Sequence, residues 1–187
     1  MHDLEPITAL GNTSARVDKF QHITITENDD LALASVAARL GQEKTCQTAL
    51  KELLGDVPGP GRAQFQNPED GFWMGPNQWM IAAPRDTHEL LALTLKDTFG
   101  TAASVTEQTG AWVVFDVQGA AMPDLCERLC AVPIRTMSAG DAHRTVIHQL
   151  GCFVMRHTTH DHIRIFGPRA SAGTLHHAIL TAAKSIA

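Results

Sequence analysis

Tyrosine is missing from the 187 residues, and with few tryptophans and phenylalanines the aromatic share is only 5%. The chain therefore has no phenolic hydroxyl for proton transfer or for recognising a substrate hydroxyl. No apolar run approaches the roughly 18 to 20 residues that a transmembrane helix needs. The opening MHDLEPITALGNTSARVDKF has neither the charged nor the apolar zone of a signal peptide, so a cytoplasmic location is expected. Cys46, Cys126, Cys130 and Cys152 are then expected to be reduced. Basic charge is also short: 15 Lys and Arg stand against 20 Asp and Glu, a formal net charge of -5. That balance argues against a nucleic-acid partner, which calls for a clustered basic surface. No basic amphipathic stretch points to a membrane surface either. With 44% hydrophobic and 19% charged residues, the chain is an ordinary globular sequence long enough to bury a core.

What is abundant is turn chemistry between Val57 and Pro84, where five of the nine prolines and two of the three tryptophans fall. The pattern predicts short strands at Arg62–Phe65 and Gln78–Ala83 joined by a long loop, with Trp73 and Trp79 anchoring it. Residues 1–19 are polar and aperiodic and read as an arm, loose or laid across a partner. Phe20–Thr26 alternates as a half-buried strand. Asn28, Asp29 and Asp30 can cap a helix carrying Leu33, Val36, Ala37 and Leu40, interrupted at Gly41. A second helical run ends in Leu50, Leu53 and Leu54, with Gly55 as its C-cap. Asp86 and Glu89 have capping-box spacing ahead of a helix with Leu91, Leu95 and Phe99 on one stripe, stopped at Gly100. A strand at Ala103–Glu107 completes a βαββαβ unit.

The second half repeats the theme. Ala111–Val117 is the strongest strand signal. Gly119 and Pro123 introduce a helix with Leu125, Cys126, Leu129 and Cys130 on its apolar side. Val132–His143 reads as a loop, Arg144–Met155 as a strand bent at Gly151, and His162–Phe166 as another. Leu175, Ile179, Ala182 and Ile186 mark a closing helix. The expected fold is α+β, with two packed ferredoxin-like βαβ-type halves, mainly antiparallel sheet and helices on one face. The expected division is an arm at 1–19, a first half at 20–107 and a second at 108–187.

Candidate chemistry is thin. His157, His160 and His162 with Asp161 offer metal donors, but in a turn whose geometry the spacing does not determine, and a plain surface turn is the simpler reading. Cys126 and Cys130, four apart on a helix, could share a metal with His148 or His176, although buried packing is the commoner fate of free cysteine. Cys152 has no base placed beside it. The GPGR at 59–62 precedes a strand, not the helix N-terminus that binds phosphate. In GPRASAG at 167–173, Arg169 could meet an anion, with ordinary capping as the alternative. Asp116, inside its strand, either pairs with an arginine or faces solvent. No G-x-S-x-G elbow is present. The expected catalytic, cofactor-binding and metal-binding residues of this chain are therefore none.

Several long segments carry a resemblance: DLALASVAARLG at 30–41, LLGDVPGPGRA at 53–63, FWMGPNQWMIAAP at 72–84, SVTEQTGAW at 104–112, RTVIHQLGCFVMR at 144–156 and FGPRASAGTLHHAIL at 166–180. They resemble the gamma subunit of heterotetrameric sarcosine oxidase over most of the chain. More distantly, the chain is similar to the folate-binding domains of the aminomethyltransferase T-protein class. In that comparison Gln149 stands where the class has a glutamate, and no residue matches its folate-binding aspartate.

The resemblance implies a non-catalytic subunit that supports assembly of an oxidoreductase acting on CH–NH donors with oxygen as acceptor. That enzyme demethylates sarcosine to glycine, with hydrogen peroxide and, when tetrahydrofolate is present, 5,10-methylenetetrahydrofolate as products. It also implies alpha, beta and delta partners, chiefly alpha, that hold the FAD, FMN, NAD, zinc and tetrahydrofolate, while this chain holds no cofactor. The alternative from the same resemblance is a folate-binding one-carbon-transfer module. On the subunit reading, Val57–Pro84 is expected to be the remnant of a folate-domain strand and loop, used for docking or for closing the core.

Overall fold

A computed structural model describes residues 6–186 as an α+β protein of eleven strands and four α-helices. In chain order the first elements are β1 (Val17–Phe20), β2 (Ile23–Glu27), β3 (Leu31–Ala38), α1 (Glu43–Leu54), β4 (Ala63–Phe65) and β5 (Asp70–Gly75). Next come β6 (Gln78–Pro84), α2 (Leu91–Phe99), β7 (Ala103–Glu107), β8 (Trp112–Gln118) and α3 (Met122–Leu129). The chain finishes with β9 (Ala142–Ile147), β10 (Leu150–Arg156), β11 (His162–Pro168) and α4 (Ala172–Lys184). Two sheets result, ordered β1-β2-β8-β11-β10-β9 and β4-β5-β6-β3-β7. The pairings with a defined register are all antiparallel.

Two compact units contain these sheets: residues up to Asp29 with Ala111–Ala139 and the chain from His143 onward, and Asp30–Gly110 with Gly140–Ala142. The strand expected to open the first half therefore belongs elsewhere, because β2 pairs with β8, Ile25 opposite Val117. The strand that opens the smaller sheet is β3, in the segment whose apolar spacing suggests a helix. Its alternation decides the matter. Ala32, Ala34 and Val36 are buried on one face with Cys46, Leu50 and Leu54 of α1 and Leu91, Leu95 and Phe99 of α2. A run of small residues fits helix and strand templates equally, and pairing on both sides with β6 and β7 selects the strand.

The stretch from Val57 to Pro84 holds more sheet than expected. Between the two anticipated strands lies β5, paired with β4 on one side and β6 on the other, with Trp73 opposite Trp79. Trp79 is buried at 3% exposure, and its indole Nε1–H donates to the Pro58 carbonyl at 2.8 Å. Trp73 is half-buried against the same core. Trp79 is thus a core residue whose one polar atom is satisfied by the proline-rich turn. Trp79→Phe removes that donor and part of the packing. It should cost about 2 kcal/mol in urea unfolding; an unchanged midpoint would show that the turn is held by other contacts.

In the other unit the helices again cover one face. Ile23 and Ile25, Val113, Phe115 and Val117, Ile163 and Ile165, and Cys152 and Val154 meet Leu125 and Cys126 of α3 and Leu175 and Ile179 of α4. The strand expected to bend at Gly151 is two strands. The chain reverses at His148 and Gln149, with φ of 47° and 67°, the left-handed pair that a two-residue hairpin turn requires.

The expected helix at 91–99 and its stop at Gly100 are observed, but Asp86 and Glu89 form no capping box, since the helix lacks a side-chain cap. The expected arm is partly built into the fold. Val17–Phe20 is β1, and buried Glu27 accepts from the backbone N–H of Leu10 at 2.9 Å and of Arg16 at 3.2 Å. The portion of that arm at 1–5 lies outside the described residues.

Candidate functional site

The densest polar cluster forms where β8 and β11 pair. Antiparallel register sets Arg164 directly opposite Asp116 and His162 opposite Gln118. Alternation puts Asp116, His162 and Arg164 on the face away from α3 and α4, because Phe115, Val117, Ile163 and Ile165 occupy the helix side.

Asp116 accepts three kinds of donor. Arg164 Nε–H donates to Oδ1 at 2.8 Å, His162 Nε2–H to Oδ1 at 2.9 Å, and Asn28 Nδ2–H to Oδ2 at 2.6 Å. The side chains are 14% exposed for Asp116, 9% for His162 and 10% for Arg164. Burial alone would push the Asp116 carboxyl up. The His162 hydrogen bond, the Arg164 charge and the Asn28 amide together hold it well below the usual carboxylate range. The imidazole of His157 stacks on that of His162 with centroids 4.5 Å apart. Burial, then the Arg164 charge and His162, lower the His157 pKa to about 4.

The chemistry open to this cluster follows from those states. Asp116 is ionised and saturated with donors, which makes it a weak base and no proton source near neutrality. His157 is neutral and a poor base for the same pH range. The arrangement is suited to fixing β8, β11 and the 157–161 turn against one another.

The remaining candidates separate. His160 and Asp161 are exposed in the turn, where the His160 carbonyl accepts from Arg156, while His162 is committed to Asp116. Among the described residues no group of three His, Cys, Asp or Glu is placed to hold a metal ion. Cys126 is buried in the core and burial pushes its thiol up, while Cys130 is half-buried at the end of α3. His176 donates Nε2–H to Asp18 at 2.8 Å, and His148 is exposed in its turn. Cys152 is buried, and burial raises its pKa to about 11. The Arg169 guanidinium donates to the Ile7 carbonyl at 3.1 Å. Arg62, from the GPGR segment, pairs with Asp141.

Three buried ionisable residues sit in no sequence motif: Glu27, Arg156 and the Arg164 that pairs with Asp116. Glu27 holds the arm as described, and its place was legible in ITITE, where position 27 shares the face of Ile23 and Ile25. Arg156 is only 2% exposed; it donates to the carbonyls of His160 and Ile134 and keeps a buried Nε without a hydrogen-bond partner. No residue type or spacing in RTVIHQLGCFVMR signals that burial.

In sequence, no protein-family model and no curated protein matches the chain. In structure it is similar to a chain of heterotetrameric sarcosine oxidase from Corynebacterium sp. U-96, solved in complex with pyrrole 2-carboxylate. The TM-score is 0.76 at 20% identity, over 87% of this chain and 84% of that one. It is also similar to glycine cleavage system aminomethyltransferase T from Bartonella henselae, with a TM-score of 0.62 at 16% identity, over 85% of this chain and 45% of that one. The protein thus has the α+β fold of that sarcosine oxidase chain and of part of that aminomethyltransferase.

Proposed function

We propose that this chain is the gamma-type subunit of a heterotetrameric sarcosine oxidase, supporting assembly of a complex that demethylates sarcosine oxidatively while its partners hold the flavins, NAD, zinc and folate. The observation that carries the reading is the match to a sarcosine oxidase chain across 84% of that chain's length. A cluster in which Asp116, His162 and Arg164 satisfy one another is consistent with a subunit that is built to be positioned.

Co-expression of the chain with alpha, beta and delta subunits should yield a stoichiometric complex that oxidises sarcosine, while the chain purified alone carries no flavin. A complex that assembles and turns over equally well without it would refute the assignment. The aminomethyltransferase similarity favours a second reading, a folate-binding module. Against it, Gln149, which the resemblance sets in place of that class's glutamate, lies exposed in the β9–β10 turn. Saturable quenching of tryptophan fluorescence by tetrahydrofolate in the isolated chain would restore that reading.

A further inference from the structure

Between α3, α4 and the β9–β10 turn lies an open groove of about 410 Å³. Its apolar part is Leu129 with Ala178 and Ala182, and its polar part includes Arg128, His148 and His177. All three of these polar side chains are exposed.

The charge around the groove is sorted by a neighbouring ion-pair cluster. Asp124 and Glu127, the exposed acids of α3, are both taken by Arg135, which reaches Glu127 Oε1 at 2.6 Å and also bonds Asp124. Arg128 instead donates to a neutral partner, Ser185 Oγ, at 3.2 Å. A chain with a net charge of -5 therefore presents here a guanidinium and two imidazoles over an apolar floor.

Basic residues near helix C-termini often do no more than answer the negative end of the helix. That accounts for Arg128 in the last turn of α3. It does not account for His148, which lies on a strand-to-strand turn, or for His177, which sits in the first half of α4.

We propose that this groove docks an acidic segment of a partner subunit, whose carboxylates meet Arg128, His148 and His177 while an apolar side chain covers Leu129, Ala178 and Ala182. The inference rests on the subunit reading above and goes beyond it by assigning the surface and the chemistry of what covers it. The groove's openness suits a segment of another chain better than a small ligand, which pockets normally enclose on most sides.

The test uses the co-expressed complex with Arg128→Glu and His177→Glu together, against Lys44→Glu and Lys51→Glu together, a charge change at least as large on exposed positions of α1. The groove variant should weaken retention of the chain at least about ten-fold near 0.1 M salt, as like charges face each other across the contact. The α1 variant should leave retention unchanged, and both should melt like the wild type. With p-benzoylphenylalanine in place of Thr181, which also lines the groove, photocrosslinking should capture a partner segment bearing Asp or Glu. Equal retention of the groove variant, or a crosslink to a segment lacking acids, overturns the docking proposal and leaves the subunit reading intact. Failure of the wild-type chain to enter the complex overturns both.

Discussion

Asp116→Asn should lower the unfolding free energy by about 2 kcal/mol at pH 7, because it removes the buried carboxylate charge that accepts from Arg164, His162 and Asn28. The dependence on pH gives the cause away. The folded-state pKa of Asp116 is depressed below its unfolded value, burial opposing and His162, Arg164 and Asn28 outweighing it. A depressed carboxylate contributes stability that is fully present above the unfolded pKa of about 3.9, and loses it as pH falls from there through the folded pKa. Wild type should thus weaken on acidification below about pH 4. The asparagine variant starts lower and lacks this component, so the two curves should converge as pH drops. Urea titrations at pH 7, 5 and 3.5 measure it. A gap that stays constant across that range would mean that the charge on Asp116 is not what the cluster uses.

That cluster also shows how much could be read in advance and why the reading stopped. Asp116 stood out as a polar break in AWVVFDV, with pairing to an arginine as one of two outcomes. Which arginine was hidden, because it depends on β8 lying beside β11 in a register that sets residue 116 opposite residue 164. Strand spacing in β11 sets His162 and Arg164 on one face, but a strand has two faces and no local signal says which one meets the helices. The same gap explains β3. Leu-Ala-Leu-Ala-Ser-Val-Ala-Ala satisfies helical and strand spacing together, and only its two neighbours, whose paired residues are 41 or more positions away in sequence, decide between them. Strongly periodic segments were legible on their own, as in α2, where Leu91, Leu95 and Phe99 are all buried. The β9–β10 reversal was not, since His-Gln carries none of the Asn-Gly chemistry that announces a tight turn.

Gly119→Ala should be the most damaging single methyl addition in the chain, and its logic is local. Gly119 links β8 to α3 at a φ of 130°, a backbone conformation that side chains rarely adopt. Its N–H donates to the Asp161 carbonyl at 3.0 Å, and its own carbonyl accepts from Met122 at 3.1 Å, so the peptide cannot rotate away freely. A Cβ built there would stand 2.2 Å from the His22 carbonyl oxygen and 3.0 Å from Ile23 Cα. Both are backbone atoms where the β1–β2 turn enters β2, and the same His22 oxygen accepts from Ala121 N–H at 3.3 Å. Strain of about 1–3 kcal/mol adds to overpacking of similar size, a loss of roughly 3 kcal/mol or more.

Gly173→Ala is the matched control. It lies inside α4 with nothing within 4 Å of its would-be Cβ. The same methyl should there stabilise by about 0.5–1 kcal/mol through helix propensity and a less disordered unfolded chain. Thermal melts of the two variants should move in opposite directions from wild type. If Gly119→Ala melted with the wild type, the β1–β2 turn would have to shift away from α3 at no cost, and the hydrogen bonds through His22 and Asp161 would not be holding it.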